Sequence, residues 1–189
     1  VALIQNEVPR HPVRVYQGDG IGVFTAEIQF EKEQDIAFGS TVLEWFRVGG
    51  FDQLIIIDGI LKPEKQIQGE GLFAVGANES ARDRLKSLDL QTIQRGIVSG
   101  ITGFLLSEGD RLNLDITALL SEASPMYPDV RAAAVAIEAI TEMTGKEIPL
   151  SSMLENARSI EQSVQEIIES ATPLLPSPDD DTINDPSFG

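Results

Sequence analysis

Hydrophobic positions change their period several times along the chain, and each change marks a new element. Residues 13–16 and 21–30 are β-branched and aromatic runs separated by Gln17-Gly18-Asp19-Gly20, whose glycines reach the positive φ angles of a tight reversal, so a hairpin is predicted. Ile36, Phe38, Val42, Leu43, Trp45 and Phe46 approximate helical spacing and stop at Gly49-Gly50, residues suited to a left-handed cap; a helix of about three turns follows the hairpin. Leu54-Ile55-Ile56-Ile57 runs apolar without interruption into Asp58-Gly59, the pattern of a strand buried on both faces, and this predicts a central place in the sheet. Further strands are expected at 71–77, 93–98 and 114–120, with helices at 79–88 and 100–113 between them. Such alternation predicts a mixed sheet, at least partly parallel and covered on both faces.

Beyond residue 127 the character changes. Asp129 suits an N-cap, and Ala132, Val135, Ala136, Ala139, Ile140 and Met143 mark an amphipathic helix closing at Gly145. A second C-terminal helix is predicted from Ser151, with Leu154, Ala157, Ile160, Val164, Ile167 and Ile168 on one stripe, and Pro173 stops it. Residues 1–173 therefore read as a single α/β domain and 174–189 as a flexible acidic tail. Its Pro-Ser-Pro-Asp-Asp-Asp stretch at 176–181 buries too little apolar surface to offset the entropy of ordering. The final Ser187, Phe188 and Gly189 read either as a docking peptide or as a chain end without a role.

Composition narrows the function. With 30 acidic against 14 basic residues the net charge is -16, and no stripe of Lys or Arg is available to neutralise phosphates, so nucleic acid is excluded as an expected partner. The same charge repels anionic membrane and favours basic partner surfaces, and a solvated acidic surface without a partner accounts for it equally well. No cysteine is present, which removes disulfides, thiolate catalysis and thiolate zinc sites and makes an intracellular, cytoplasmic location the default expectation. No apolar run approaches the roughly 20 residues of a membrane span. The chain opens directly on the strand-like Val1-Ala2-Leu3-Ile4 without an initiator Met, and a preceding portion is expected.

Chemistry is sparse. His11, the single histidine, lies between Arg10 and Pro12 without a second ligand residue and reads as structural or exposed rather than catalytic. No G-x-S-x-G elbow accompanies it, so triad hydrolysis lacks its parts, and nothing calls for a metal or cofactor. Gly96, Gly100 and Gly103 fall at a strand-to-helix junction, where backbone N–H groups cradle an anion or, alternatively, where glycine permits close packing; the spacing is neither a Walker loop nor G-x-G-x-x-G. Asp58 and Glu122 stand near strand ends, where they line a ligand crevice outside the sheet's carboxyl edge or simply cap loops.

Two segments carry a family resemblance. Gly100-Ile101-Thr102-Gly103-Phe104-Leu105-Leu106, and Leu119-Leu120-Ser121-Glu122-Ala123-Ser124-Pro125-Met126-Tyr127-Pro128-Asp129 followed by Ala132-Ala133-Ala134, resemble the archaeal branch of the proteasome assembly chaperone family, over about residues 1–173. The resemblance implies a three-layer α/β/α domain similar to nucleoside phosphorylases, without need of that enzyme's active site. It also implies a non-enzymatic homo-oligomer that binds proteasome α-subunits. The family's usual opening glycine-rich strand-loop-helix unit is missing here. Proteasome activators and some assembly chaperones end in a hydrophobic residue, then Tyr or Phe, then any residue, and insert that tail between α-subunits. Phe188 and Gly189 match this pattern and Ser187 departs from it. The runner-up is an enzyme or small-ligand binder of phosphorylase-like fold, with a site at Asp58, Gly100, Gly103 and Glu122.

Overall fold

A computed structural model of the chain describes residues 2–28, 30–61, 71–123, 129–151 and 154. Four short strands open it: β1 (Leu3–Gln5) pairs antiparallel with β2 (Val8–Arg10), and β3 (Val13–Gly18) with β4 (Ile21–Ala26). In the second hairpin Asp19 and Gly20 take φ of 50° and 75°, the two left-handed residues that a two-residue turn between twisted strands requires. Phe24 on β4 meets Phe38 edge to face at 5.4 Å and Trp45 at 5.6 Å, which seats the hairpin on the helix α1 (Asp35–Val48). At the other end of the hairpin the ammonium of Lys146 donates to the Asp19 carbonyl. β1 and β2 were only half legible, since the sequence marked a single strand at the start of the chain.

α1 runs for 14 residues, four turns rather than three. Gly49 keeps a helical φ of -70°, and it is Gly50, at 68°, that makes the left-handed exit. The sheet that follows has the order β5 (Leu54–Leu61), β7 (Ile116–Ala123), β6 (Leu72–Gly76), with β5 parallel and β6 antiparallel to β7. α2 (Glu79–Ser87) and α3 (Gly100–Leu112) lie between β6 and β7, and α4 (Val130–Thr144) follows β7.

Alternation along the strands sorts the helices into layers. Ile116, Ala118 and Leu120 of β7 pack with Val42, Leu43 and Phe46 of α1 and Leu105 and Leu106 of α3. The intervening Leu119 packs with Ala74, with Leu85 of α2 and with Ala139 of α4. β5 alternates in step, with Leu54, Ile56 and Ile60 toward the first cluster and Ile55 toward the second. The result is the predicted three-layer α/β/α arrangement on a mixed sheet, α1 and α3 on one face and α2 and α4 on the other.

Two expectations are corrected. The Leu54 run is an edge strand among the described residues, exposed at Ile57, Asp58 and Gly59, while β7 holds the centre and is buried from Ile116 to Glu122. Residues 93–98 do not form a strand. Thr92 makes a single parallel bridge to Ala74 and Ile93 donates to the Ala74 carbonyl, after which the chain leaves the sheet to reach the start of α3, with Ile97 97% exposed. The strand read at 114–120 begins two residues later and runs to Ala123.

The helix ends follow the predicted chemistry. Asp129 accepts from the Ala132 N–H at 3.0 Å as the N-cap of α4, and Gly145 closes that helix at φ 67°. Asn78, 9% exposed, caps α2 by accepting from Ala81 N–H at 2.9 Å. Asn78→Ala is expected to cost about 1–2 kcal/mol, because a buried N–H loses its acceptor; urea denaturation checks it. Apart from Ser151 and Leu154, the predicted C-terminal helix and the tail lie outside the described residues, as do residues 124–128.

Candidate functional site

α1 leads into β5 and α3 leads into β7, each helix antiparallel to the strand it precedes, so the first turns of both helices come to the carboxyl edge of the parallel pair. Asp58 lies on β5 opposite Leu120 of β7, and Glu122 opposite Ile60. The two acids thus share the α1/α3 face as diagonal neighbours, with Cα atoms roughly 8 Å apart from strand spacing and rise.

Asp58 is held from two sides. Its Oδ2 accepts from the Thr102 hydroxyl at 2.7 Å, tying β5 to the first turn of α3, and its Oδ1 accepts from the Gly59 N–H at 2.8 Å. Thr102 is itself 5% exposed. Glu122 is 7% exposed, and its backbone N–H donates to the Gly71 carbonyl at 2.8 Å. Gly71 makes room for it, since a Cβ there would fall 2.6 Å from Oε2 of Glu122.

The glycines of the junction have different reasons. Gly100 starts α3 with φ 67°, a left-handed conformation that glycine adopts without steric cost, and a Cβ on it would be 3.8 Å from Oδ2 of Asp35. Gly103 has no room for a side chain: its Cβ would meet the Val98 carbonyl oxygen at 2.3 Å, so this glycine lets the loop cross directly against the helix. Gly96 faces only the Cγ2 of Ile93 at 3.3 Å. Of the residues singled out by sequence, Asp58, Gly100, Gly103 and Glu122 therefore gather at one edge. His11 is elsewhere, exposed on the chain between β2 and β3, its Nδ1 2.9 Å from the Val13 carbonyl. Ser187, Phe188 and Gly189 lie outside the described residues.

Sequence reasoning missed the opposite, amino edge. There an open cavity of about 450 Å³ is lined by residues including Phe46, Phe51, Asn78, Ser80 and Asp115. Arg84 of α2 donates to both carboxylate oxygens of Asp115, and Ser80 donates to Oδ2 at 3.1 Å. The Asp115 hydrogen bonds hold the Arg84 guanidinium above its ordinary pKa. The partners are 31 residues apart, and no local pattern announces the pair. On the helix surfaces, Asp83 and Glu108 are kept below the usual carboxylate range, chiefly by hydrogen bonds from Lys86 and Arg111. No group of three or more potential metal-ligating side chains occurs among the described residues, and no described helix is long and apolar enough to cross a membrane.

Fold and edge together define a three-layer α/β/α protein with an acid-bearing carboxyl edge. The chain belongs to the PAC2 family, whose model matches residues 1–168. That assignment agrees with the resemblance carried by the 100–106 and 119–134 segments. PbaA of Pyrococcus furiosus, an archaeal homolog of proteasome-assembly chaperone, is 24% identical with a TM-score of 0.80, over 92% of this chain and 73% of that one. PbaB of the same organism, an archaeal proteasome activator, is 22% identical with a TM-score of 0.70, over 89% of this chain and 77% of that one. An uncharacterized protein of Methanocaldococcus jannaschii is 23% identical over 175 residues, 88% of this chain and 68% of that one. At these identities the likeness to the solved structures is one of fold.

Proposed function

We propose that the protein assists proteasome assembly by binding proteasome α-subunits in the cytoplasm, as a homo-oligomer that shields and aligns surfaces without making or breaking bonds. The observation that carries this reading is the PAC2 match through residues 1–168, on a fold shared with PbaA. A net charge of -16 suits it to basic partner surfaces. Size-exclusion chromatography with light scattering, at fixed salt, tests it directly with purified cognate α-subunits. A defined complex is the expected result, and separate elution counts against the reading.

Within this reading Phe188 enters a cleft between α-subunits, with Ser187 and Gly189 flanking it. A single exposed carboxylate-lysine pair contributes only about 0–1 kcal/mol, so one tail binds weakly, while several tails on one oligomer gain roughly 10²- to 10⁴-fold by avidity. Deleting residues 187–189 is expected to weaken association at least tenfold and leave the thermal midpoint unchanged. An unaltered affinity removes the tail from the mechanism.

A second reading, a small-ligand site, is favoured by one observation: Glu122, 7% exposed, stands diagonal to Asp58 at the edge where α3 begins with Gly100. Gly103 serves it by bringing the loop onto the helix. A thermal-shift screen with nucleosides, nucleotides and phosphate distinguishes the two readings. Stabilisation by one class that disappears in Glu122→Gln supports a ligand site, and a flat screen opposes it.

A further inference from the structure

The hairpin of β3 and β4 has only two strands, so each of them leaves one edge unpaired among the described residues. The aromatic side chains around α1 close in on β4, with Phe24 against Phe38 and Trp45, and Gly22 beneath Trp45 and Phe51. β3 lies farther out. Val15 stands opposite Phe24 on the α1 face and is still 48% exposed, and Tyr16 beside it is 51% exposed.

The ladder fixes which backbone groups of β3 are open. A two-residue turn makes Gly18 and Ile21 a hydrogen-bonded pair and the pairs alternate from there, so Arg14 and Tyr16 turn their N–H and C=O toward β4, while Val13, Val15 and Gln17 turn theirs outward. Two contacts agree with this order: the Glu27 N–H donates to the Pro12 carbonyl inside the ladder at 2.9 Å, and the Val13 N–H donates outward to Nδ1 of His11 at 3.2 Å. The same Nδ1 lies 2.9 Å from the Val13 carbonyl oxygen, so His11 closes one end of the edge. The turn at Asp19 closes the other. Val15 and Gln17 remain, and no Pro, Lys or bulge within β3 protects them; an edge of this kind is a template for another strand.

Charge and register select a second copy as that strand. Residues 13–26 carry Arg14 and Asp19 and no other charge in a chain of net charge -16, so copies that meet along β3 keep their excess acids apart, whereas a basic partner finds acids elsewhere. An antiparallel two-fold pairing centred on Tyr16 sets Val15 of each copy against Gln17 of the other and satisfies every group left open. Centring on Val15 instead would call on the Val13 groups that His11 holds. Arg14, paired with Glu27 and 6.0 Å from the centre of the Tyr16 ring, then comes opposite Gly18 of the other copy, where an added carbon would meet nothing within 4 Å.

We propose that β3 is the contact through which two copies of this chain join, in antiparallel register about Tyr16. The inference rests on the homo-oligomer part of the reading above and names its contact. Antiparallel partners that share no hydrogen bonds have Cα atoms about 4.5 Å apart, inside the roughly 4.4–6.8 Å that a disulfide spans. Tyr16→Cys in this cysteine-free chain is therefore expected to form a disulfide-linked dimer with oxidised glutathione. Val23→Cys, on the same face but one strand farther from the two-fold, and Ile97→Cys, 97% exposed before α3, are expected to link at least about tenfold more slowly. Gln17→Pro removes an outward N–H and leaves the ladder to β4 intact; it is expected to lower the mass measured by light scattering without changing the far-ultraviolet circular dichroism. If that variant loses its dichroism, the comparison of linking rates decides alone.

An oligomer in which Tyr16→Cys links no faster than Ile97→Cys overturns the β3 contact and leaves the homo-oligomer reading standing. A chain that is monomeric by light scattering at every concentration refutes both. Alkylation of the Tyr16→Cys thiol that is fast in the free protein and slows only when purified α-subunits are added makes that subunit the occupant, and this too overturns the pairing of copies.

Discussion

Gly103→Ala is expected to destabilise the protein by about 3 kcal/mol, at the upper end of what overpacking costs, because its added carbon would sit 2.3 Å from the Val98 carbonyl oxygen and 2.9 Å from the carbonyl carbon. Both atoms are backbone, so relief requires moving the loop or the first turn of α3 rather than rotating a side chain. That turn is anchored by the 2.7 Å hydrogen bond from Thr102 to Asp58, which the displacement would lengthen. Equilibrium unfolding should register the loss as a fall in thermal midpoint of roughly 6–12 °C for a chain of this size. The neighbouring glycines set the scale. Gly100→Ala should cost about 1–2 kcal/mol, for a left-handed backbone whose added carbon meets only Oδ2 of Asp35 at an ordinary 3.8 Å. Gly96→Ala should cost less than about 1 kcal/mol, because only a side-chain methyl group opposes it. Equal costs at the three positions would refute the account of the junction as one close crossing.

Leu119→Ala is expected to cost about 3–4 kcal/mol. Leu119 is 0% exposed, and the walls around it, Ala74, Leu85 and Ala139, come from β6, α2 and α4, so no single element can collapse into the space it vacates. Ile57→Ala is the informative comparison. Ile57 belongs to the more strongly apolar run of the two, yet it is 50% exposed on the edge strand, and its loss should cost only about 1 kcal/mol. Urea titrations of both variants separate the two strand positions. If Ile57→Ala were as damaging as Leu119→Ala, β5 rather than β7 would hold the centre.

The candidate edge was legible in part. Asp58, Gly100, Gly103 and Glu122 could be picked out because acids and glycines near strand and helix ends have few local roles, and all four do gather at the carboxyl edge. What each residue does was not legible. The hydrogen bond from Thr102 to Asp58 spans 44 residues, and the crossing at Gly103 depends on where Val98 is placed. The exposure of Ile36 and Ile97 was not legible in sequence, where Ile36 falls in a helical apolar pattern and Ile97 in an expected strand.

The sequence by itself determined the features settled within a few residues. These are the Asp19-Gly20 reversal, the Asp129 helix start, the left-handed exits at Gly50 and Gly145, and the alternation of strand and helix that predicted a sheet covered on both faces. Such features obey the steric limits of φ and ψ and the unpaired N–H groups of a helix end, both of which are local. Only the tertiary structure decided that β7 lies inside and β5 at the edge, that residues 93–98 leave the sheet, and that Arg84 closes on Asp115. Strand propensity records how well a side chain suits a pleated surface and not how many neighbours that surface will have; that number is fixed only when distant segments pack.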